Sequence, residues 1–266
     1  MREIKILAHR TGMGRFPPNS LVGLRGCWAD GVFGFECDVS FLSPQEEPFI
    51  WVKEMRRILQ SPGAVLEKMT SREIAWLGRT DCGEKVLRLN DVFDFLEQYP
   101  LQAYFDVKYY DLDLFGQLCP ISRHLQDLAV RKIMRPALER KLADRISFVT
   151  FGGGWELLQL AKTVDARIGT NLMIGLPWLT IDDRHFDYLD AVTIGWKGIN
   201  PWRWPWCAGR LDRLLETARG HGLKVYGGLA DTKKEIEWLV SKNFDGIWSN
   251  DVPLVRDILK NKKEEK

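Results

Sequence analysis

Short apolar runs of strand length recur along the chain at residues 4–8, 34–39, 101–107, 146–151, 168–174, 191–196, 224–229 and 246–249. Between most of them the apolar positions move to a three-to-four-residue spacing, which marks amphipathic helices. Helix starts are signposted. Asn19 reads as the cap of a helix over 20–30 and Asn90 as the opening of one over 91–97. Pro120 stands near the start of a long amphipathic run to Lys141. Further helices are expected over 154–164, 209–222, 232–243 and 253–262, with Gly222 a helix stop ahead of Leu223-Lys224-Val225. Eight strands alternating with helices over roughly 250 residues predict an α/β chain of the (β/α)8 TIM barrel type. The alternative, a doubly wound open sheet, normally has fewer strands and a phosphate loop, and the chain contains neither GxGxxG nor a P-loop.

Two stretches break the alternation. Residues 40–88 hold an extra strand-like piece, Pro48-Phe49-Ile50-Trp51-Val52, and a short helix near 71–77. The expectation is therefore one barrel domain, 1–266, with an insertion at 40–88. The second break, residues 198–207, follows the sixth strand, so it should lie on the rim where barrels carry catalysis. Its Trp202, Trp204 and Trp206 either cover the apolar part of a substrate or pack beneath the loop, and the loop is a candidate for a peripheral lipid contact.

Composition narrows the classes. A chain of 266 residues with 45% hydrophobic content can bury a sizeable core. The net charge of +2, from 38 basic and 36 acidic residues, gives no reason to expect a nucleic-acid partner. The charge run 260–266 reads as a solvated helix end. No run of about 18 apolar residues is present, so no transmembrane segment is expected, and MREIKILAHR is too short in apolar length for a signal peptide. Five cysteines (27, 37, 82, 119 and 207) lack CxxC spacing, which suits reduced thiols in a cytoplasmic protein. Cys37 lies between Glu36 and Asp38, and strand alternation turns it away from both, as a core thiol rather than a nucleophile. Oligomeric state has no signature in the chain.

The chemistry gathers at the strand ends. The first strand delivers His9 and Arg10, and the second delivers Glu36 and Asp38 on one face. The third carries Asp106 and Lys108, and the eighth carries Ser249, Asn250 and Asp251. Three carboxylates converging from adjacent strands form a hard-oxygen site for a divalent cation, Mg2+ or Ca2+ rather than Zn2+. Arg10 and Lys108 beside it suit a phosphate, the first by bidentate contact and the second as a point charge.

With these residues in place the chain resembles the glycerophosphodiester phosphodiesterases. Their H-R-G opening followed by P-E-N-T is similar to His9-Arg10-Thr11 with Pro18-Asn19-Ser20. Their E-x-D-V is Glu36-Cys37-Asp38-Val39, and their E-x-K is similar to Asp106-Val107-Lys108. Gly222-Leu223-Lys224-Val225 and Asp245-Gly246-Ile247-Trp248-Ser249-Asn250 match two later motifs. The resemblance runs from residue 6 to about 258, in order. It implies a (β/α)8 barrel that hydrolyses a glycerol-type phosphodiester to an alcohol and a phosphomonoester, in lipid metabolism, with a divalent cation. By the same resemblance Glu36, Asp38 and Asp106 are metal ligands, Arg10 and Lys108 bind phosphate, and His9 transfers a proton. Lys53 and Trp196 are counted with the substrate-binding residues, and the partner is a small-molecule phosphodiester.

The chain departs from the family in four places. The family's second catalytic histidine falls on Val52 or Lys53, within Pro48-Phe49-Ile50-Trp51-Val52-Lys53-Glu54, and the other histidines, 124, 185 and 221, are distant in sequence. The third-strand glutamate is shortened to Asp106, Thr11 stands at the usual glycine, and Gly227-Gly228-Leu229 lacks a tryptophan often found on the seventh strand. A second reading therefore stays open: a protein of the same fold that binds metal and phosphodiester but is catalytically impaired. A sugar-phosphate isomerase or aldolase would want a Schiff-base lysine. Lys108 is available for that, but a neighbouring trio of carboxylates does not suit it.

Overall fold

Eight parallel strands, each following a stretch that returns the chain to the same edge, close into a barrel in this computed structural model. It describes residues 3–42, 47–50, 72–73, 83–107, 122–151, 154–177, 183–196 and 198–264. The strands are β1 (Lys5–Ala8), β2 (Gly34–Leu42), β4 (Gln102–Val107), β5 (Ile146–Phe151), β6 (Gly169–Ile174), β7 (Ala191–Ile194), β8 (Lys224–Gly227) and β9 (Gly246–Ser249). A ninth, β3 (Glu47–Ile50), lies antiparallel on the outer half of β2 with Val39 opposite Ile50. Closure comes from β1, which pairs in parallel with both β9 and β2. The fold is a (β/α)8 barrel, and all eight expected strands are present, two with the expected bounds and the others with an end shifted by at most three residues.

Alternation along the strands sorts side chains between two cores. Phe35, Cys37, Val39, Ala103, Phe105 and Phe148 face the helices and are sealed from solvent. Each large side chain buried there contributes about 1.5–3 kcal/mol. Leu7, Tyr104, Val149, Met173, Tyr226 and Trp248 instead fill the barrel interior. The indole Nε1 of Trp248 donates to Thr193 Oγ1 at 3.2 Å, and Thr193 is bonded to Asn171 across the adjacent strand at 2.9 Å. A Cβ on Gly228 would stand 2.5 Å from the Trp248 carbonyl, so the tryptophan on β9 occupies the space beside the glycine pair that ends β8.

The helix boundaries differ from expectation in three instructive places. The first helix, α1 (Leu21–Ala29), is capped by Ser20, whose hydroxyl accepts from Gly23 N at 3.0 Å. Asn19 takes a left-handed φ of 55° and turns into the barrel instead. The next, α2 (Leu89–Gln98), begins ahead of Asn90 because Asp91 reaches back to accept from Arg88 N at 2.9 Å. The run ending at Lys141 divides into α3 (Arg123–Ala129), a π turn (Val130–Met134) and α4 (Arg135–Glu139), with Ser122 as its cap. Pro136 offers no N–H and its ring would meet the carbonyl four residues back, so the helix widens just before it. Four further helices among the described residues, α5 (Trp155–Val164), α6 (Ala208–Gly220), α7 (Lys233–Ser241) and α8 (Val252–Glu264), fall close to where periodicity places them. Of the helix expected near 71–77, only 72–73 lie within the described residues, and Pro120 lies outside them.

Candidate functional site

The carboxyl ends of the strands carry the charged groups that the helix-facing core cannot accept. On β2, Phe35, Cys37 and Val39 point outward, which forces Glu36 and Asp38 inward. Asp38 is in register with Asp106 on β4, so the two stand side by side on the same face. Carboxylate oxygens of Glu36, Asp38 and Asp106 lie within 4.8 Å of one another, and all three residues are buried. Three negative charges at that separation and depth repel strongly unless cations compensate them. One cation is Arg10, whose Nε lies 2.9 Å from Asp38 Oδ2. The donor set itself, oxygen only and without thiolate, fits a hard divalent cation.

His9 and Arg10 reach the site because β1 stops at Ala8 and the chain turns tightly. Residues His9–Thr11 form a 3-10 turn in which Arg10 (φ 46°) and Thr11 (φ 58°) both adopt left-handed backbone, and Gly12 (φ 81°) follows. For a β-branched residue that conformation costs about 1–2 kcal/mol, which explains why glycine is the usual occupant of Thr11's position in the resembled motif. Here the Thr11 hydroxyl offsets part of the cost by accepting from Ser20 N at 3.2 Å. Gly23 lets α1 approach this turn, since a Cβ there would sit 2.5 Å from Thr11 Oγ1. The turn aims Arg10 N at Glu36 Oε2, 3.0 Å away, and brings His9 Nε2 to 3.8 Å from the same oxygen.

Two side chains found here had a different or no sequence assignment. Asn19, expected as a helix cap, donates through Nδ2 to Asp38 Oδ2 at 3.2 Å and is buried. Asp231, in the segment after β8, carried no sequence signal. It accepts from Asn250 Nδ2 at 2.6 Å, and Asn250 Oδ1 stands 2.7 Å from His9 Nδ1. Sequence alone could have flagged Asp231 only through its place after a strand, on the rim where barrels of this fold carry their sites.

Trp196, expected in substrate binding, packs its ring edge-on against His9, centroids 5.1 Å apart at 86°, and also against Trp248 at 5.3 Å. It is buried and forms a wall behind the imidazole. Lys53 and Lys108, the other two expected substrate-binding lysines, lie outside the described residues, as does Val52. Of the distant histidines, His185 stacks on Trp155 and His221 on Phe186, both away from the carboxylates. The Trp-rich segment leaves β7 on the site's rim as two short turns (Asn200–Arg203 and Pro205–Cys207). Trp202 is buried beneath it, whereas Trp204 and Trp206 are 44% and 76% exposed with rings 5.2 Å apart.

Two buried thiols near the site, Cys37 and Cys27, are inert by environment. Cys37 is held far above the usual thiol range by burial first and by the charges of Glu36 and Asp38 next. Burial likewise pushes Cys27 up to about 12, with Asp30 adding to it. Neither supplies a thiolate nucleophile.

No family model matches the chain, and no curated protein matches it in sequence. Its fold does have solved counterparts. A protein of Silicibacter pomeroyi designated a glycerophosphoryl diester phosphodiesterase superimposes with a TM-score of 0.78 at 18% identity, over 98% of this chain and 95% of that one. A glycerophosphodiester phosphodiesterase of Parabacteroides distasonis gives 0.72 at 15% identity, over 98% and 99%. An Oleispira antarctica phosphodiesterase in complex with the product sn-glycerol-3-phosphate gives 0.73 at 16% identity, over 96% of each. The likeness spans nearly the whole of each chain and is one of fold.

Proposed function

We propose that this chain is a metal-dependent phosphodiester hydrolase that cleaves a glycerol-type diester to an alcohol and a phosphomonoester. The observation that carries this reading is the buried trio Glu36, Asp38 and Asp106 beside His9 and Arg10 at the carboxyl ends of a closed barrel. A divalent cation held by those carboxylates, Mg2+ or Ca2+, would polarise the phosphoryl oxygens. Arg10, fixed through Nε by Asp38, offers its guanidinium to the same phosphate. Water attacks phosphorus, the bond to the alcohol oxygen breaks, and His9 moves a proton at Nε2, the ring nitrogen that faces Glu36. Lys108, two residues beyond Asp106, is assigned to phosphate binding, and Lys53 to the substrate-binding residues, where it stands at or beside the position of the family's second histidine. The solved counterpart holding sn-glycerol-3-phosphate supports a phosphomonoester of that kind as the product.

The test is release of glycerol 3-phosphate from a panel of glycerophosphodiesters with Mg2+, with Ca2+ and with EDTA. Turnover that needs the cation supports the reading. Val52 and Lys53 at the place of the second histidine favour one competing reading, a binding protein of the same fold. Retention of metal and diester in calorimetry without turnover on any panel member would establish that instead.

Exposure of Trp204 and Trp206 supports a role for the loop against the apolar portion of the substrate or the lipid surface that presents it. Exposed indoles on the rim of a site are suited to a headgroup region. Trp206→Ala is expected to weaken sedimentation with anionic phospholipid vesicles while leaving turnover of a water-soluble diester unchanged. Unaltered vesicle binding in a Trp204→Ala/Trp206→Ala protein removes the lipid assignment.

A further inference from the structure

Behind His9 runs a short chain of hydrogen bonds whose outer members take no direct part in the proposed reaction. The Asp231 carboxylate receives Ser249 Oγ at 2.8 Å and Asn250 N at 2.7 Å on Oδ1, and Asn250 Nδ2 at 2.6 Å on Oδ2. The first two bonds tie the segment after β8 to the end of β9 and explain a structural role. The third does more. A carboxylate only accepts, so the amide must turn its NH2 toward Asp231 and its carbonyl toward His9. That carbonyl, Oδ1, stands 2.7 Å from His9 Nδ1. An amide oxygen also only accepts, so the proton of the neutral imidazole resides on Nδ1 and the lone pair on Nε2. Nε2 is the nitrogen on the side of the carboxylate trio, 3.8 Å from Glu36 Oε2, and the Trp196 edge contact holds the ring plane.

We infer that Asn250 and Asp231 are positioning residues that set the tautomer and orientation of His9, Asp231 acting only through the amide of Asn250. The contribution to turnover rests on the phosphodiesterase reading; the tautomer itself does not. Replacing Asp231 by Asn gives a sharp discriminator. The new side chain keeps a carbonyl for Ser249 and for the Asn250 backbone, but presents NH2 to the Asn250 amide. That amide then turns over and offers Nδ2 to His9, and the ring proton moves to Nε2. The exchanged pair, Asp231→Asn with Asn250→Asp, rebuilds every bond: the residue at 231 donates to the carboxylate at 250, which accepts from Nδ1–H.

The experiment uses the full 15N-labelled chain with Mg2+, reading the His9 ring by long-range 1H–15N correlation at a pH where the imidazole is neutral, with His9→Gln assigning the signals. Expected are Nδ1–H in the parent, Nε2–H in Asp231→Asn and Nδ1–H again in the exchanged pair. On glycerophosphodiesters, kcat should fall about 10²-fold or more in Asp231→Asn with KM little changed, and recover in the exchanged pair. A role confined to holding two loops together would alter stability without inverting the tautomer. An Nε2–H parent, or one tautomer shared by parent and Asp231→Asn, overturns the inference. Should Asp231→Asn fail to fold, the exchanged pair decides: loss of Nδ1–H there counts against the relay. Tautomer inversion in a protein that hydrolyses no diester upholds the relay and discards the phosphodiesterase reading. Turnover with an unmoved tautomer does the reverse.

Discussion

Glu36→Gln should remove cation binding and cation-dependent turnover together while leaving the barrel folded. The side chain is fully buried, and the replacement amide keeps an oxygen that can accept from Arg10 N, so the local backbone geometry survives. What it loses is one of the three carboxylate charges, within 4.8 Å of one another, that could hold the cation. Removing that charge also lessens the repulsion among the trio, so the metal-free variant should match or exceed the parent in thermal stability. The parent should instead gain stability when Mg2+ or Ca2+ is added, about 2.7 kcal/mol at a hundredfold excess over Kd. Calorimetric titration and thermal unfolding with and without the cation read both quantities. Asp38→Asn should show the same loss of binding with greater disturbance, because Asp38 also holds Arg10 and accepts from Asn19. Undiminished cation affinity in Glu36→Gln would remove the carboxylates from the ligand set.

His9→Ala isolates the proton-transfer role from the cation site. The imidazole is not in the carboxylate set, so calorimetric cation binding should persist unchanged. Turnover should fall by about 10²–10⁴, equivalent to about 3–5 kcal/mol of barrier. The ring is buried against Trp196, and truncation leaves a gap there, so His9→Gln serves as the volume-filling companion. Both variants should lose activity to a similar degree, since neither can take up a proton at Nε2. A His9→Ala protein as active as its parent excludes His9 as the proton-transfer group and would also leave the Asn250–Asp231 relay with nothing to position.

Much of the site is readable before any coordinates. Inward Glu36 and Asp38 and outward Cys37 follow from period-two geometry in a strand whose odd positions are Phe35, Cys37 and Val39. Asp106 joins them because the next parallel strand aligns it with Asp38. Local pattern fails where two neighbouring residues compete for one local job. Asn19 and Ser20 are comparable as helix caps, and nothing within the segment separates them. The choice is made by the barrel wall, which supplies Asp38 as a partner for Asn19 and leaves the cap to Ser20.

By itself, then, the chain determines its strand count, the barrel architecture and the identity of the rim carboxylates. These depend on hydrophobic periodicity and strand parity, both properties of short segments. Only the tertiary structure decides that Asp231 stands behind Asn250, that Asn250 presents its oxygen to His9, and that Trp196 closes the wall behind the imidazole. Those contacts join residues 19, 241 and 187 positions apart in the chain, across loops whose course no local pattern dictates. The physical reason is that a side-chain hydrogen bond senses only distance and angle, and closure of the barrel between β1 and β9 is what brings the first strand's histidine to the last strand's asparagine.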